Sequence, residues 1–360
     1  MAAHRAIMVG TGGIARSWLE RFLPPFAGRL DVVAVVDISD AAREAAGNRL
    51  GLPAASRFAD MDAAFAAVGR LGVDCCIVTT PPSVHRAAAL GAMSAGLAVL
   101  SEKPIADTWE ATVDIYRAAM RTDTKMQVIQ NYRYDPNILT MRGVIESGRL
   151  GRVRYAVGRF MRDYRLPLSW GAAFRHEIPH TLLIEGAVHH FDQLRHLTGA
   201  DCLSVSGVDW RPEGADSFRG ECDGLYTLRM TGGAMAQYEG SLVAAGRQQG
   251  WHGEYYRVEC EGGAVVTDGA ANDGVGRVWI EEHDTAKGLT ETDVPLVAVQ
   301  YPGHQAMIAQ FADWLDGGPA PPTAIADNIQ TAALLFAAIE ASETNRVVDV
   351  AAKVREARGE

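Results

Sequence analysis

With 360 residues, the chain is long enough for two domains at roughly 100–200 residues each. Apolar side chains make up 48% and charged ones 22%, a globular composition that can build a core without disulfide or metal staples. Thirty-four basic against forty-four acidic side chains leave a formal charge of -10, which repels phosphate backbones and anionic lipid and argues against nucleic-acid and membrane partners.

The first nine residues, Met1-Ala-Ala-His-Arg-Ala-Ile-Met-Val9, run into a strand and lack a secretory signal layout. The predicted order is strand Ala6–Val9, helix Gly13–Phe22, strand Val32–Asp37, then helices near Ala41–Leu50 and Asp62–Val68. Strands at Asp74–Thr79 and Ala98–Ser101 flank a helix at Ser83–Ala95, and a helix at Thr108–Arg121 precedes a strand at Gln127–Gln130. These strands are continuously apolar, as expected when both faces are covered, so residues 1–125 read as a doubly wound parallel α/β sheet. Cys75 and Cys76 lie in such a run. With five cysteines and no C-x-x-C spacing, buried thiols in a reducing cytoplasm are expected.

Residues 126–360 read differently. A helix near Pro136–Ser147, a strand over Val153–Asp163 and a helix over Glu185–Leu197 precede strands near Cys202–Trp210, Gly224–Met230, Ala234–Ser241, Tyr255–Glu261 and Gly276–Glu281. Gly-Gly and Asn-Asp-Gly turns separate them, which predicts an α+β domain with a large, mainly antiparallel sheet. Helices His304–Asp316 and Ala324–Thr344 close the chain. The longest apolar run, 332–339, is far short of the ~20 residues that cross a bilayer.

Gly10-Thr-Gly12-Gly13-Ile14-Ala15 joins the first strand to the first helix. Gly10 permits a tight turn, Gly12 lets the backbone approach a pyrophosphate, and Ala15 allows close packing. Asp37 ends the second strand, 22 residues beyond Ala15, where its carboxylate can bind ribose hydroxyls and repel a 2′-phosphate. This pattern predicts dinucleotide binding, NAD in preference to NADP. NADP is the alternative, because Ser39 and Arg43 could hold a phosphate were Asp37 to turn aside.

Three further segments fall at carboxyl ends of strands or open a helix: Thr79-Thr80-Pro81-Pro82-Ser83-Val84-His85, Glu102-Lys103-Pro104, and Glu185-Gly186-Ala187-Val188-His189-His190-Phe191-Asp192. In this order, and with Asn131-Tyr-Arg-Tyr-Asp-Pro136, they resemble the glucose–fructose oxidoreductase, inositol dehydrogenase and MocA family. The resemblance implies an amino-terminal Rossmann domain and a carboxy-terminal domain with an open sheet, which carries the substrate and pairs chains as a homodimer or homotetramer. It also implies Lys103 and His189 as catalytic residues. An imidazole can remove a hydroxyl proton while an ammonium steadies the alkoxide as hydride leaves carbon.

Many family members carry aspartate where this chain has Glu185, four residues before His189, a spacing that on a helix brings the two together. Glu185 is therefore a candidate catalytic residue that either orients the imidazole or, its carboxylate shifted by the extra methylene, is aimed at the substrate or Lys103. The expected cofactor set is Gly10, Gly12, Gly13, Ile14, Asp37, Ile38, Thr80, Pro81, His85, Glu102, Lys103 and Asn131. The donor-rich stretch 162–180 reads as a substrate loop, giving Arg162, Tyr164, Trp170, Arg175, His176 and His180, with Arg133 and His190 beside them. Its alternative is a solvated or interface loop.

No metal is expected, since Pro179 disrupts the phase that His176-x-x-x-His180 would need. The reading is an NAD(P)-dependent dehydrogenase or reductase for a sugar, inositol or related polyol. The same residues would serve a lyase or glycosidase that oxidises transiently, and a non-catalytic dinucleotide sensor is the third reading.

Overall fold

The computed structural model describes residues 3–269 and 276–360. One compact unit takes the residues to Gln130 together with His304–Ala332, and the other takes Asn131–Gly303 with Ala333–Glu360.

The first unit holds six parallel strands, β1 His4–Val9, β2 Leu30–Val36, β3 Arg57–Phe58, β4 Cys75–Val78, β5 Ala98–Ser101 and β6 Met126–Val128. Their order is β3-β2-β1-β4-β5-β6, with the reversal of winding at β1 and β4. Ala6, Ile7, Met8 and all of Cys75–Val78 have no exposed surface, which is why these strands read as unbroken apolar runs. The cysteines pack as small apolar residues, and burial raises the Cys76 thiol to about 12. Ser39, Asp60 and Thr108 cap the helices Asp40–Arg49, Met61–Ala66 and Trp109–Thr122. Each such cap is worth about 1 kcal/mol.

The predicted helix over Gly13–Phe22 is an α-turn, Gly13–Ser17, followed by a π-turn, Trp18–Phe22. The wider turn carries the fully buried Trp18, whose indole donates to Glu102 at 2.8 Å. The two-residue β3 was not anticipated, being too short to leave a pattern. The segment His304–Ala332 belongs to this unit because Val128 donates to Thr323 and Lys125 to the Trp314 carbonyl.

The second unit holds nine strands: β7 Val153–Met161, β8 Cys202–Trp210, β9 Asp223–Met230, β10 Met235–Ser241, β11 Tyr255–Cys260, β12 Ala264–Asp268, β13 Arg277–Asp284, β14 Gly288–Val294 and β15 Val348–Asp349. They lie in the order β14-β13-β12-β11-β7-β10-β9-β8-β15, and every pair except β7 with β10 is antiparallel. The α/β class with a large, mainly antiparallel second sheet is as expected, while β12, β14 and β15 were not read from the sequence.

Gly232 and Gly233 make the β9–β10 turn with φ of 73° and 88°, which glycine adopts without steric cost. The expected Asn-Asp-Gly turn lies outside the described residues. Along β9 and β10 burial alternates strictly. The inward residues Tyr226 and Tyr238 meet Phe191 of the helix Val188–Thr198 edge to face. The opposite face presents Val208 paired with Leu225, and Met235 beside Tyr155, all at least 38% exposed. Among the described residues no helix is long and apolar enough to cross a membrane.

Candidate active site

In the first unit the glycine turn lies at the carboxyl end of β1. Gly10 has φ +89°, and a Cβ there would meet Thr79 backbone atoms and the Thr80 methyl at 2.9 Å. At Gly12 and Gly13 a Cβ would meet nothing within 4 Å. Close packing therefore explains the first glycine, whereas the open space at the other two suits a backbone that a ligand approaches. Ile14, on this turn, is 37% exposed.

Asp37 follows β2. One carboxylate oxygen accepts from the Thr11 N–H (2.7 Å) and hydroxyl (3.0 Å), and the other from the Ser39 N–H at 2.8 Å. Arg43 donates to the Asp37 carbonyl and pairs with Asp40. The carboxylate is thus held at both oxygens by its own loop. Ile38 beside it is 93% exposed.

The β4 loop and the Glu102-Lys103-Pro104 loop are tied together by His85. Its Nδ1 lies 2.8 Å from the Pro104 carbonyl and its Nε2 2.9 Å from the Thr80 carbonyl, and the ring has no exposed surface. Both nitrogens of His85 lie against backbone carbonyls, so the ring braces the two loops. Pro81 is exposed and precedes the helix Pro82–Ser94, while the sheltered Thr80 Oγ1 has no hydrogen-bond partner among the described residues.

The Glu102 side chain also turns inward, accepting from Trp18 and lying 3.3 Å from His304 Nε2. Burial acts to raise its pKa, but His304, Trp18 and the charge of Lys103 outweigh it and hold the group below its ordinary value. The side chain thus braces the loop from inside the unit. Lys103 follows directly, half-buried at the carboxyl end of β5.

In the second unit the turn Asn131–Tyr134 and the helix Val188–Thr198 bring their side chains together. His189, 6% exposed, stacks on Tyr132 with centroids 4.2 Å apart and planes 3° apart. Tyr132 also touches His252, 4.2 Å away, and Trp251 edge-on. Burial, then Glu254 and Asp135, push the Tyr132 phenol well above its usual range, so it stays protonated. The buried Asn131 amide nitrogen has no hydrogen-bond partner among the described residues.

Glu185 is not on a regular α-helix with His189 as expected. It lies in a π-turn, Leu182–Ala187, that shifts the helical phase before the α-helix begins at Val188. Its Oε2 accepts from Arg175 Nε at 3.0 Å.

Several expected substrate residues have partners within their own unit. Arg133 forms a two-pronged, buried pair with Asp192 at 2.6 and 2.7 Å. His190 is 1% exposed with Nδ1 2.9 Å from the Tyr238 hydroxyl, and His176 bonds the Ser217 carbonyl and stacks on Phe218. Tyr164 and Trp170 stack on each other in a buried cluster with Phe160, Leu182 and Phe218.

Tyr164, Trp170 and His176 are buried because the 162–180 stretch folds onto apolar surface of its own unit. His180, with φ +47°, lies among Asp209 (2.8 Å), Glu221 (3.6 Å) and Glu343 (3.5 Å). Burial lowers the His180 pKa, but those carboxylates raise it above its ordinary value. Only Arg162 and Arg175 of that set keep partly exposed guanidinium groups beside aromatic rings, Tyr164 and Trp170 respectively. Tyr132, Trp251 and His252 were missed; the signal available was the aromatic-histidine pair bracketed by glycines in Gly250-Trp-His-Gly253.

A strand, an open glycine turn and a terminal acid, on a parallel sheet followed by a large open sheet, define a dinucleotide-binding α/β enzyme. Residues 4–130 match the family described as "Oxidoreductase family, NAD-binding Rossmann fold", and residues 138–266 match the GFO/IDH/MocA C-terminal domain. The chain belongs to the Gfo/Idh/MocA family of NAD-binding oxidoreductases.

It is 35% identical over 349 residues to the uncharacterized protein y4oX of Sinorhizobium fredii, covering 96% of each chain. It is 27% identical over 313 residues to levoglucosan dehydrogenase of Pseudarthrobacter phenanthrenivorans, covering 76% of this chain and 79% of that one. Its fold is similar to the crystal structure of an oxidoreductase from Agrobacterium radiobacter in complex with NAD+, L-tartaric acid and magnesium. That match has a TM-score of 0.82 at 20% identity and covers 97% and 99% of the two chains.

Proposed function

We propose that the enzyme transfers hydride between NAD and the CH–OH or keto carbon of a sugar, inositol or related polyol, with Lys103 and His189 as the acid–base pair. The observation that carries this reading is the fixed His189 imidazole, held flat on Tyr132 at the start of a helix. The levoglucosan dehydrogenase relative supports the substrate class.

The glycine turn Gly10–Ile14 receives the pyrophosphate and Asp37 the ribose diol, with Thr80, Pro81 and Asn131 completing the cofactor contacts. Bound NAD supplies the hydride acceptor. His189 takes the hydroxyl proton and returns it in the reverse direction. The Lys103 ammonium hydrogen-bonds the same oxygen and stabilises the alkoxide as charge develops. Arg175, paired with Glu185, and Arg162 bind outlying hydroxyls.

We also propose that the exposed Val208–Leu225 and Met235–Tyr155 face of the second sheet joins copies of this chain as a homodimer or homotetramer. The five buried free thiols support a reducing, cytoplasmic setting.

The test is turnover of wild type, Lys103→Ala and His189→Ala on a panel of sugars and inositols with NAD, with NAD binding followed by thermal shift. Each variant should lose on the order of 10²–10⁴-fold in turnover while NAD still raises its melting temperature. Near-normal turnover in both variants contradicts the assignment. Product accumulating with constant nicotinamide absorbance would indicate transient oxidation and elimination instead.

A further inference from the structure

The loop between β10 and β11 carries His252 in a left-handed backbone conformation, φ +73°. Such a conformation is uncommon outside glycine and is retained where surrounding contacts determine it. Its N–H donates to the buried Glu254 carboxylate at 3.1 Å, and its Nδ1 lies 2.8 Å from Asp135 Oδ2. The Asp135 side chain is 8% exposed and that of His252 is 37%. A buried carboxylate therefore orients an imidazole that reaches the surface. The carboxylate acceptor at Nδ1 assigns a proton there.

The His252 ring also rests against Tyr132, the phenol on which His189 stacks, with both centroids 4.2 Å from that ring. Two imidazoles thus share one aromatic support.

We propose that His252, oriented by Asp135, is a second substrate-contacting residue, whose imidazole hydrogen-bonds a substrate hydroxyl other than the one His189 deprotonates. The inference rests on His189 being the base of the proposed function, and it narrows the substrate to a polyol with a second hydroxyl close to the oxidised carbon. Asp135 is a positioning residue. A site built to bind a hydroxyl discriminates against an analogue that lacks it, because the site's polar group is then left unpaired.

The test compares kcat/KM of wild type, His252→Ala, His252→Gln and Asp135→Asn with NAD on D-glucose, myo-inositol and levoglucosan and on their monodeoxy counterparts. On the best hydroxylated substrate His252→Ala should lose about 10–10²-fold, and on one monodeoxy analogue less than about 3-fold. Asp135→Asn should show the same selectivity more weakly, and His252→Gln should recover part of the loss. An equal loss on every analogue, or none, overturns the inference while leaving the proposed function standing. A wild type that binds NAD yet turns over nothing in the panel overturns the proposed function, and this inference with it.

Discussion

His189 and Tyr132 lie face to face, 4.2 Å between centroids and 3° between planes. The pair comes from a turn and a helix more than fifty residues apart in sequence, and both rings are buried to the same 6% exposure. Such a stack restrains the ring without consuming either imidazole nitrogen. Removing it with Tyr132→Ala should lower kcat by about 10–10²-fold, because a small misplacement of a reacting group is costly. Tyr132→Phe, which keeps the ring, should stay within about 3-fold of wild type. Steady-state kinetics of the two variants check this.

The proposed ribose role of Asp37 can be tested on cofactor choice. Its oxygens are held by Thr11 and Ser39, which fixes a negative charge after β2. Asp37→Ala should weaken NAD binding by about 5–100-fold and narrow the preference over NADP. Calorimetric titration with both cofactors measures the ratio; an unchanged ratio contradicts the role.

Glu102 should govern acid stability of the first unit. Its pKa is lowered in the folded state, against the pull of burial, by His304, Trp18 and Lys103. The unfolded chain therefore takes up the proton first as pH falls. The stabilisation is full above the ordinary carboxylate range and is lost as pH falls through the folded-state value. Glu102→Gln should flatten the acid limb of the melting-temperature curve. A curve parallel to wild type would refute the linkage.

His180 predicts the opposite window. Its pKa is raised by Asp209, Glu221 and Glu343 although burial opposes it. Its contribution is full below the ordinary histidine range and is lost as pH rises through the folded value. His180→Gln should lose stability at mildly acid pH and converge on wild type at alkaline pH in thermal melts.

The exposed sheet face offers a further check. Leu225→Glu places charge beside Val208 in the cross-strand register. It should lower the oligomeric mass seen by light scattering and leave the monomer folded, since Leu225 is already 46% exposed. An unchanged mass would remove this face from the proposed interface.

The glycine turn, Asp37 and the continuously apolar strands were legible in the chain itself because backbone geometry and burial on both faces act locally and leave local patterns. The mainly antiparallel sheet could be read too, from short glycine-containing turns, although short strands such as β3 and β15 leave too few residues to register. Histidines are where tertiary structure decided. His85, His176, His189, His190 and His252 look alike in a sequence, yet a ring between two carbonyls, a ring in an aromatic core and a ring beside a buried carboxylate do different chemistry. Partners distant in the chain set those environments: Asp135 reaches His252 across 117 positions, and Tyr238 reaches His190 across 48. Side-chain function follows from which groups share a desolvated neighbourhood, and only the folded chain brings those groups together.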